Sequence, residues 1–248
     1  MLGVFEDYAA NVTAEDSLVM YFIRHGSFYN AQAKMYFPGE NLRADELTVW
    51  LDTLSLKQIA VVNSTSSSAP FIDALSAPNR IMCTAAKNDG EVNATEFMKW
   101  VIQGLEDAKA DCNYNEGVTL WEACLYAAEE TLAWYAHEGF IATEHLILDD
   151  DGGGLGLQLI QNKNEENGEQ EGALAKQVFI RLFTFSEHVP AQWVEEYRAT
   201  IECIEALKHR QSRKPDDVYY GALDKLFIQA ATIRRKIRTM EAEGEPDS

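Results

Sequence analysis

A histidine and a run of hydroxyls each stand at the end of an apolar stretch. Leu18–Ile23 gives way to Arg24, His25, Gly26 and Ser27. Ile59–Val62 gives way to Asn63, Ser64, Thr65, Ser66, Ser67 and Ser68. A short, continuous apolar run reads as a strand buried on both faces, as in a parallel sheet. In open α/β sheets, catalytic and binding groups sit just past the carboxyl ends of such strands. The pattern therefore sets an imidazole base near a hydroxyl nucleophile, the pair that nucleophilic catalysis needs. No Gly-x-Ser-x-Gly elbow surrounds the serines, which argues against an ordinary esterase site. Two structural uses compete. His25 can be a satisfied residue of a strand-end turn, with Gly26 required by its backbone. Ser64–Ser68 can cap the short helix that begins near Phe71.

A second group of residues has metal-ligand spacing. Asp111, Asn113, Asn115 and Glu122 supply oxygens spaced as in an EF-hand Ca²⁺ loop, with Val118 at the aliphatic position. The position that calls for Gly in such a loop holds Glu116, and Gly117 comes one place late. Thr119-x-x-Glu122 also spells a helix capping box. The expectation is no cofactor, with weak Ca²⁺ binding at these four residues as the one metal candidate. Asp149-Asp150-Asp151, followed by three glycines, reads as an acidic turn.

The elements that must position these groups follow from periodicity. Leu2–Val12 reads as a helix. Leu42–Leu54 is expected to be a helix capped by Asn41, with Leu47, Trp50, Leu51 and Leu54 on one face. Lys57–Asn63 and Ile81–Ala85 read as strands, and Phe71–Ser76, Asn93–Glu106 and Thr119–His137 as helices. Such alternation points to an α/β domain with a parallel sheet. Residues 162–171 contain no apolar side chain, so 161–172 reads as a flexible loop. Ala173–Phe185 is apolar and fits either a strand or a short helix. Beyond it, Val194, Tyr197, Ile201 and Ile204 recur at helical spacing. Tyr219, Leu223, Leu226, Ala230, Ile233, Ile237 and Met240 do so in heptads. Pro215 separates the two stretches, which predicts an antiparallel helical hairpin over 187–242. Residues 243–248 read as a disordered acidic tail.

Bulk properties narrow the function. The chain has 248 residues and a net charge of −19, from 21 Lys+Arg against 40 Asp+Glu. That field repels nucleic acid and anionic membranes. No apolar run approaches the roughly 20 residues of a membrane span. The first residues lack the basic start and apolar core of a signal peptide. The four cysteines form no Cys-x-x-Cys and read as reduced residues. The default location is therefore cytoplasmic, unless an export signal is missing with the N-terminus. From 201 to 240 there are nine Lys/Arg against five Asp/Glu. Such a basic arm in an acidic chain suggests docking or self-association, against the alternative of a solvated helix face.

The motifs and their order resemble the caspase/legumain-like cysteine peptidases, in particular the bacterial caspase-like family. There one strand ends in His-Gly, and the next ends in a Cys followed by x-Ser-Gly-x-Phe. Here His25-Gly26 matches the first motif. Ser66-Ser67-Ser68-Ala69-Pro70-Phe71 matches the second, with Ser66 at the position of the catalytic Cys. The resemblance continues through Asn79–Ala86, Ala142–His145 and the turn Asp149–Gly154. It spans roughly residues 15–160 of the chain. It implies a caspase-like, mostly parallel sheet flanked by helices over 1–186. His25 would be the base, Ser66 would replace the nucleophile, and Gly26 with the backbone after Ser66 would stabilise an oxyanion. The family domain begins with strand, helix and strand before its His strand. Only Leu2–Val12 precedes it here, which implies an N-terminally incomplete sheet with Leu18–Ile23 on its edge. Ser for Cys, Arg24 before the His and Ala69 for a family Gly imply a degenerate peptidase kept for binding or regulation, with a peptide or protein as partner. The alternatives are an active peptidase using His25 and Ser66, and an interaction module acting through the C-terminal helices.

Overall fold

The computed structural model describes residues 8–160, 172–209 and 217–244. The chain divides into two compact units. The first comprises Met1–Asp111 with Val118–Arg181, and the second Cys112–Gly117 with Leu182–Ser248. The boundary thus falls a few residues before that expected from the sequence, and a short internal loop belongs with the C-terminal helices. The expected loop over 161–171, most of the expected helix Leu2–Val12 and residues 245–248 lie outside the described residues.

The first unit is a mixed α/β domain, as the alternation of the sequence indicates. Its main sheet contains β1 (Ser17–Phe22), β5 (Gln58–Asn63), β6 (Arg80–Thr84), β8 (Ile147–Asp149) and β9 (Leu157–Gln158), in that order. β1, β5 and β6 run parallel, and β8 and β9 add antiparallel pairs. β1 lies at one edge and pairs only with β5 among the described residues. β5 is buried from Ile59 to Asn63, which explains its unbroken apolar sequence. Ala60 and Val62 join Phe97, Val101, Leu120 and Cys124 on one face. Ile59 and Val61 join Leu47, Leu51, Phe71 and Leu75 on the other. The period-two alternation of a strand thus feeds two helical layers. α1 (Ala44–Asp52) and α2 (Pro70–Leu75) form one layer, and α3 (Phe97–Glu106) and α4 (Leu120–Glu138) the other.

Three local departures from expectation have physical causes. Between β1 and α1 the chain forms a small antiparallel sheet of β2 (Gly26–Tyr29), β3 (Gln32–Met35) and β4 (Leu42–Arg43). Asn30 and Ala31 join β2 to β3 with φ of 50° and 56°, the positive values a two-residue hairpin turn requires. α1 therefore starts at Ala44. Asn41 does not cap it; instead Glu46 accepts the Arg43 N–H at 3.1 Å. α3 starts at Phe97 rather than Asn93, because a distant carboxylate caps it. Glu144 accepts the N–H groups of Glu96 and Phe97 at 2.8 and 3.1 Å. The ambiguous stretch Ala173–Phe185 contains β10 (Phe179–Leu182), which pairs with β7 (Gly117–Thr119).

The second unit is built on α5 (Ala191–His209) and α6 (Asp217–Gly244). Tyr197, Ile201 and Ile204 pack with Ala230, Ile233 and Ile237, the residues of the two sequence stripes. Lys208 stacks on Phe227, Arg234 on Tyr197 and Lys236 on Trp193. Contacts that run in opposite order along the two helices mark an antiparallel pair. Within the same unit, the Tyr197 hydroxyl donates to the Tyr114 carbonyl at 2.6 Å. Arg198 grips Glu116 through two N–H groups at 3.0 and 2.9 Å.

Candidate functional site at the carboxyl edge of the sheet

The parallel register sets Phe22, Asn63 and Thr84 side by side at the carboxyl edge. The two segments singled out for chemistry leave the sheet from this row. Ser64 N–H donates to the Phe22 carbonyl at 3.0 Å, and Ala85 N–H to that of Asn63 at 3.0 Å. His25-Gly26 and the hydroxyl run are therefore neighbours in space, although about 40 residues separate them in sequence.

What joins them is backbone, not imidazole. Ser66 Oγ donates to the Gly26 carbonyl at 3.0 Å and accepts the Gly26 N–H at 3.2 Å. Gly26 is required by this close approach. A Cβ there would sit 2.5 Å from the Ser66 carbonyl oxygen and 2.6 Å from Thr65 Oγ1. The other hydroxyls are bound in the same way. Ser64 Oγ donates to the Phe22 carbonyl at 2.8 Å and Ser67 Oγ to that of Asp89 at 2.9 Å, while Ser68 Oγ accepts the Ala86 N–H at 2.9 Å. Ser64, Ser66, Ser67 and Ser68 are all buried. None caps α2, whose first turn has no side-chain cap. The structural alternative of the sequence is thus corrected: the hydroxyls tie strand ends together rather than start a helix.

His25 is exposed, and its ring makes no hydrogen bond among the described residues. Its carbonyl accepts the Tyr36 N–H at 2.9 Å, which couples the end of β1 to the small sheet. Arg24 lies with its guanidinium over the Phe37 ring, 5.8 Å from the centroid. A general base acts on a proton within hydrogen-bond reach. The Ser66 proton points instead to the Gly26 carbonyl, and the Gly26 N–H expected to stabilise an oxyanion donates to Ser66.

Ser67 is the strained member of the turn, with φ of 52° for a non-glycine residue. Its N–H donates to the Glu91 carbonyl at 2.8 Å, which holds that conformation. Buried at the same edge, Asn63 Nδ2 and Thr65 Oγ1 have no hydrogen-bond partner among the described residues.

Sequence reasoning missed the imidazole at this edge that is held by a carboxylate. His145 Nδ1 is hydrogen-bonded to Glu91 Oε1, while Glu91 Oε2 accepts the Lys87 N–H at 2.8 Å. A carboxylate that orients a histidine is the second half of triad logic, yet here it serves His145 and not His25. No spacing rule links residues 54 apart in sequence. Glu144 was missed too. Besides capping α3 it accepts the Tyr135 hydroxyl at 3.0 Å. Burial pushes its carboxyl above the ordinary range, against the lowering effect of its backbone and tyrosine donors.

The acidic turn is more than a turn. Asp149 accepts the Ser76 hydroxyl at 2.6 Å and the Gly154 N–H at 2.9 Å. Asp150 accepts the N–H groups of Gly172, Leu174 and Ala175 at 2.6, 2.8 and 2.8 Å. Both aspartates are buried. Gly172, read from the sequence as part of a flexible loop, is thereby anchored.

A cleft of about 370 Å³ opens at the same carboxyl edge. Phe28, Pro70, Ile72 and Leu155 give it apolar walls, and Lys87 and Asp89 give it charge.

The candidate Ca²⁺ ligands have local partners. Glu122 completes the capping box of α4. Its Oε2 accepts the Thr119 N–H at 2.9 Å and the Thr119 hydroxyl at 2.8 Å, and Thr119 Oγ1 faces the Glu122 N–H at 3.3 Å. Asn113 Oδ1 accepts the Asn115 N–H at 2.9 Å, and Asn115 Oδ1 the Gly117 N–H at 3.1 Å. Glu116 itself takes the left-handed conformation, with φ of 70°, so the missing glycine does not prevent the turn. Asp111 closes a backbone turn onto the Ala108 carbonyl at 3.2 Å. No group of three or more His, Cys, Asp or Glu suited to a metal occurs among the described residues. No helix among them is long and apolar enough to cross a membrane.

Comparison of the chain with known protein families, with curated proteins and with solved structures finds no match.

Proposed function

We propose that the first unit is a caspase/legumain-like domain that has lost peptide hydrolysis and binds an extended peptide or protein segment in a regulatory role. Support for the relationship lies in the order of its parts: His-Gly after one parallel strand, the hydroxyl turn after its neighbour, and direct contact between the two through Ser66 and Gly26. One observation carries the loss of chemistry. Each serine hydroxyl of the turn is buried and bonded to a backbone group, while the ring of His25 faces solvent. A serine needs an aligned base to attack a carbonyl, because its hydroxyl is far less acidic than a thiol. The cleft beside the turn retains the mixture of apolar walls and a few charges that suits peptide binding.

An array of extended peptides, screened against the native chain and against Lys87→Glu, tests this reading. Peptides that bind the native chain intact and lose affinity in the variant support it. Peptides that bind but are cleaved refute the loss of chemistry. Binding unaffected by Lys87→Glu, with no change in the amide spectra of Phe28 and Leu155, refutes the cleft.

A further inference from the structure

We propose that the helical unit binds a small amphiphilic anion, a long-chain carboxylate, in the groove between α5 and α6. The groove encloses about 590 Å³, within the roughly 300–1,000 Å³ typical of small-molecule sites. Its floor is apolar, from Ile201, Phe227 and Ala230, and its basic side carries Arg234, Arg235 and Arg238. Phe227, Ala230, Arg234 and Arg238 recur at intervals of three and four residues, so one face of α6 passes from apolar to cationic. Tyr114 also lines the groove, its carbonyl held by the Tyr197 hydroxyl at 2.6 Å.

The charge arrangement identifies the head group. The chain carries 40 Asp+Glu against 21 Lys+Arg, so arginines have carboxylates in abundance. Yet the Arg235 and Arg238 guanidinium groups make no hydrogen bond or ion pair among the described residues. Arg234 is held by stacking, 5.1 Å from the Phe185 centroid. Among the described residues its buried Nη1 has no hydrogen bond, and its one ion pair is a long one with Glu241 Oε2 at 3.7 Å. A buried guanidinium N–H without an acceptor is unfavourable. A carboxylate offers the two acceptor oxygens that match a guanidinium fork. Its hydrocarbon tail would cover Phe227, which is 44% exposed for so large an apolar ring.

The test is displacement of the fluorescent anion anilinonaphthalene sulfonate from the full chain by dodecanoate, with dodecyltrimethylammonium as the counter-probe. Unspecific adsorption to a chain of net charge −19 favours the cationic amphiphile. The groove predicts the opposite order, with dodecanoate bound at least about tenfold more tightly. Replacing Arg235 and Arg238 together by Gln should weaken dodecanoate binding by about tenfold or more, the scale of one lost charge-assisted hydrogen bond. Replacing Lys225 and Lys236, which lie on α6 outside the groove lining, removes the same charge and should leave the affinity unchanged. Circular dichroism checks that helix content is retained in both double variants. Equal or tighter binding of the cation, or equal losses in both double variants, overturns the proposal. So does displacement by an acidic helical peptide but not by dodecanoate.

Discussion

Removing the Ser66 hydroxyl should destabilise the chain, because that oxygen serves the fold. Ser66→Ala takes away the acceptor for the Gly26 N–H at 3.2 Å and the donor to the Gly26 carbonyl at 3.0 Å. A buried polar group left without a partner costs about 1–3 kcal/mol. Gly26 is only partly buried, so water recovers some of each bond and the lower end applies. Two groups at about 1 kcal/mol each give a loss of about 2 kcal/mol. For a domain of this size that corresponds to a fall of about 4–8 °C in Tm. His25→Ala alters an exposed ring that makes no hydrogen bond among the described residues and should stay within about 0.5 kcal/mol of the native chain. Urea denaturation followed by circular dichroism, with equal m-values in all variants, measures both. If Ser66→Ala is as stable as the native chain or more stable, the hydroxyl is not structural. The stability–activity trade-off of catalytic side chains would then be the better explanation.

The Asp150 carboxylate gathers three backbone N–H groups in a buried position, so Asp150→Ala should lower stability by about 3 kcal/mol or more, read from the same urea curves. Thr119→Ala breaks the capping box of α4 and should cost about 1 kcal/mol. Calorimetric titration of the native chain should give Ca²⁺ affinity weaker than a dissociation constant of about 10⁻⁵ M, and tighter binding would favour the metal loop over the cap. Glu144 has its carboxyl raised by burial, so its folded-state pKa exceeds its unfolded one. Its contribution to stability is therefore fully present below the unfolded pKa and is lost as pH rises through the folded one. The urea midpoint should thus rise from neutral pH into the weakly acidic range, and Glu144→Gln should flatten that rise while lowering stability at neutral pH through the lost backbone acceptor.

The sequence carried the main sheet wherever burial wrote a continuous signal. The run Ile59–Val62 within β5 is apolar because both of its faces meet helices, and α4 is marked by its cap as well as its period. The three short strands after β1 were illegible. Their turn is Asn30-Ala31 where the usual sign is Asn-Gly, and strands of two to four residues offer too little alternation to read. α3 begins later than its apolar period suggests because its N-terminal partner is Glu144, which no local pattern can reveal. At the site, the sequence brought His25-Gly26 and Ser66 to one edge but could not say which atoms would meet. A serine that binds a backbone and a serine that attacks a carbonyl have the same neighbours in sequence. The Glu91–His145 pair and the Asp150 anchor were hidden for the same reason: side chains far apart in the chain meet only once the sheet has formed.

The central claim, that the hydroxyls at this edge are structural and the proposed peptidase chemistry is absent, is tested most directly by mass spectrometry of a diverse peptide mixture incubated with the native chain. The bonding of Ser64, Ser66, Ser67 and Ser68 to backbone groups predicts peptides recovered intact, with the same spectrum for the native chain, Ser66→Ala and His25→Ala. Cleavage by the native chain that disappears in Ser66→Ala and in His25→Ala would contradict it and establish a working serine–histidine pair.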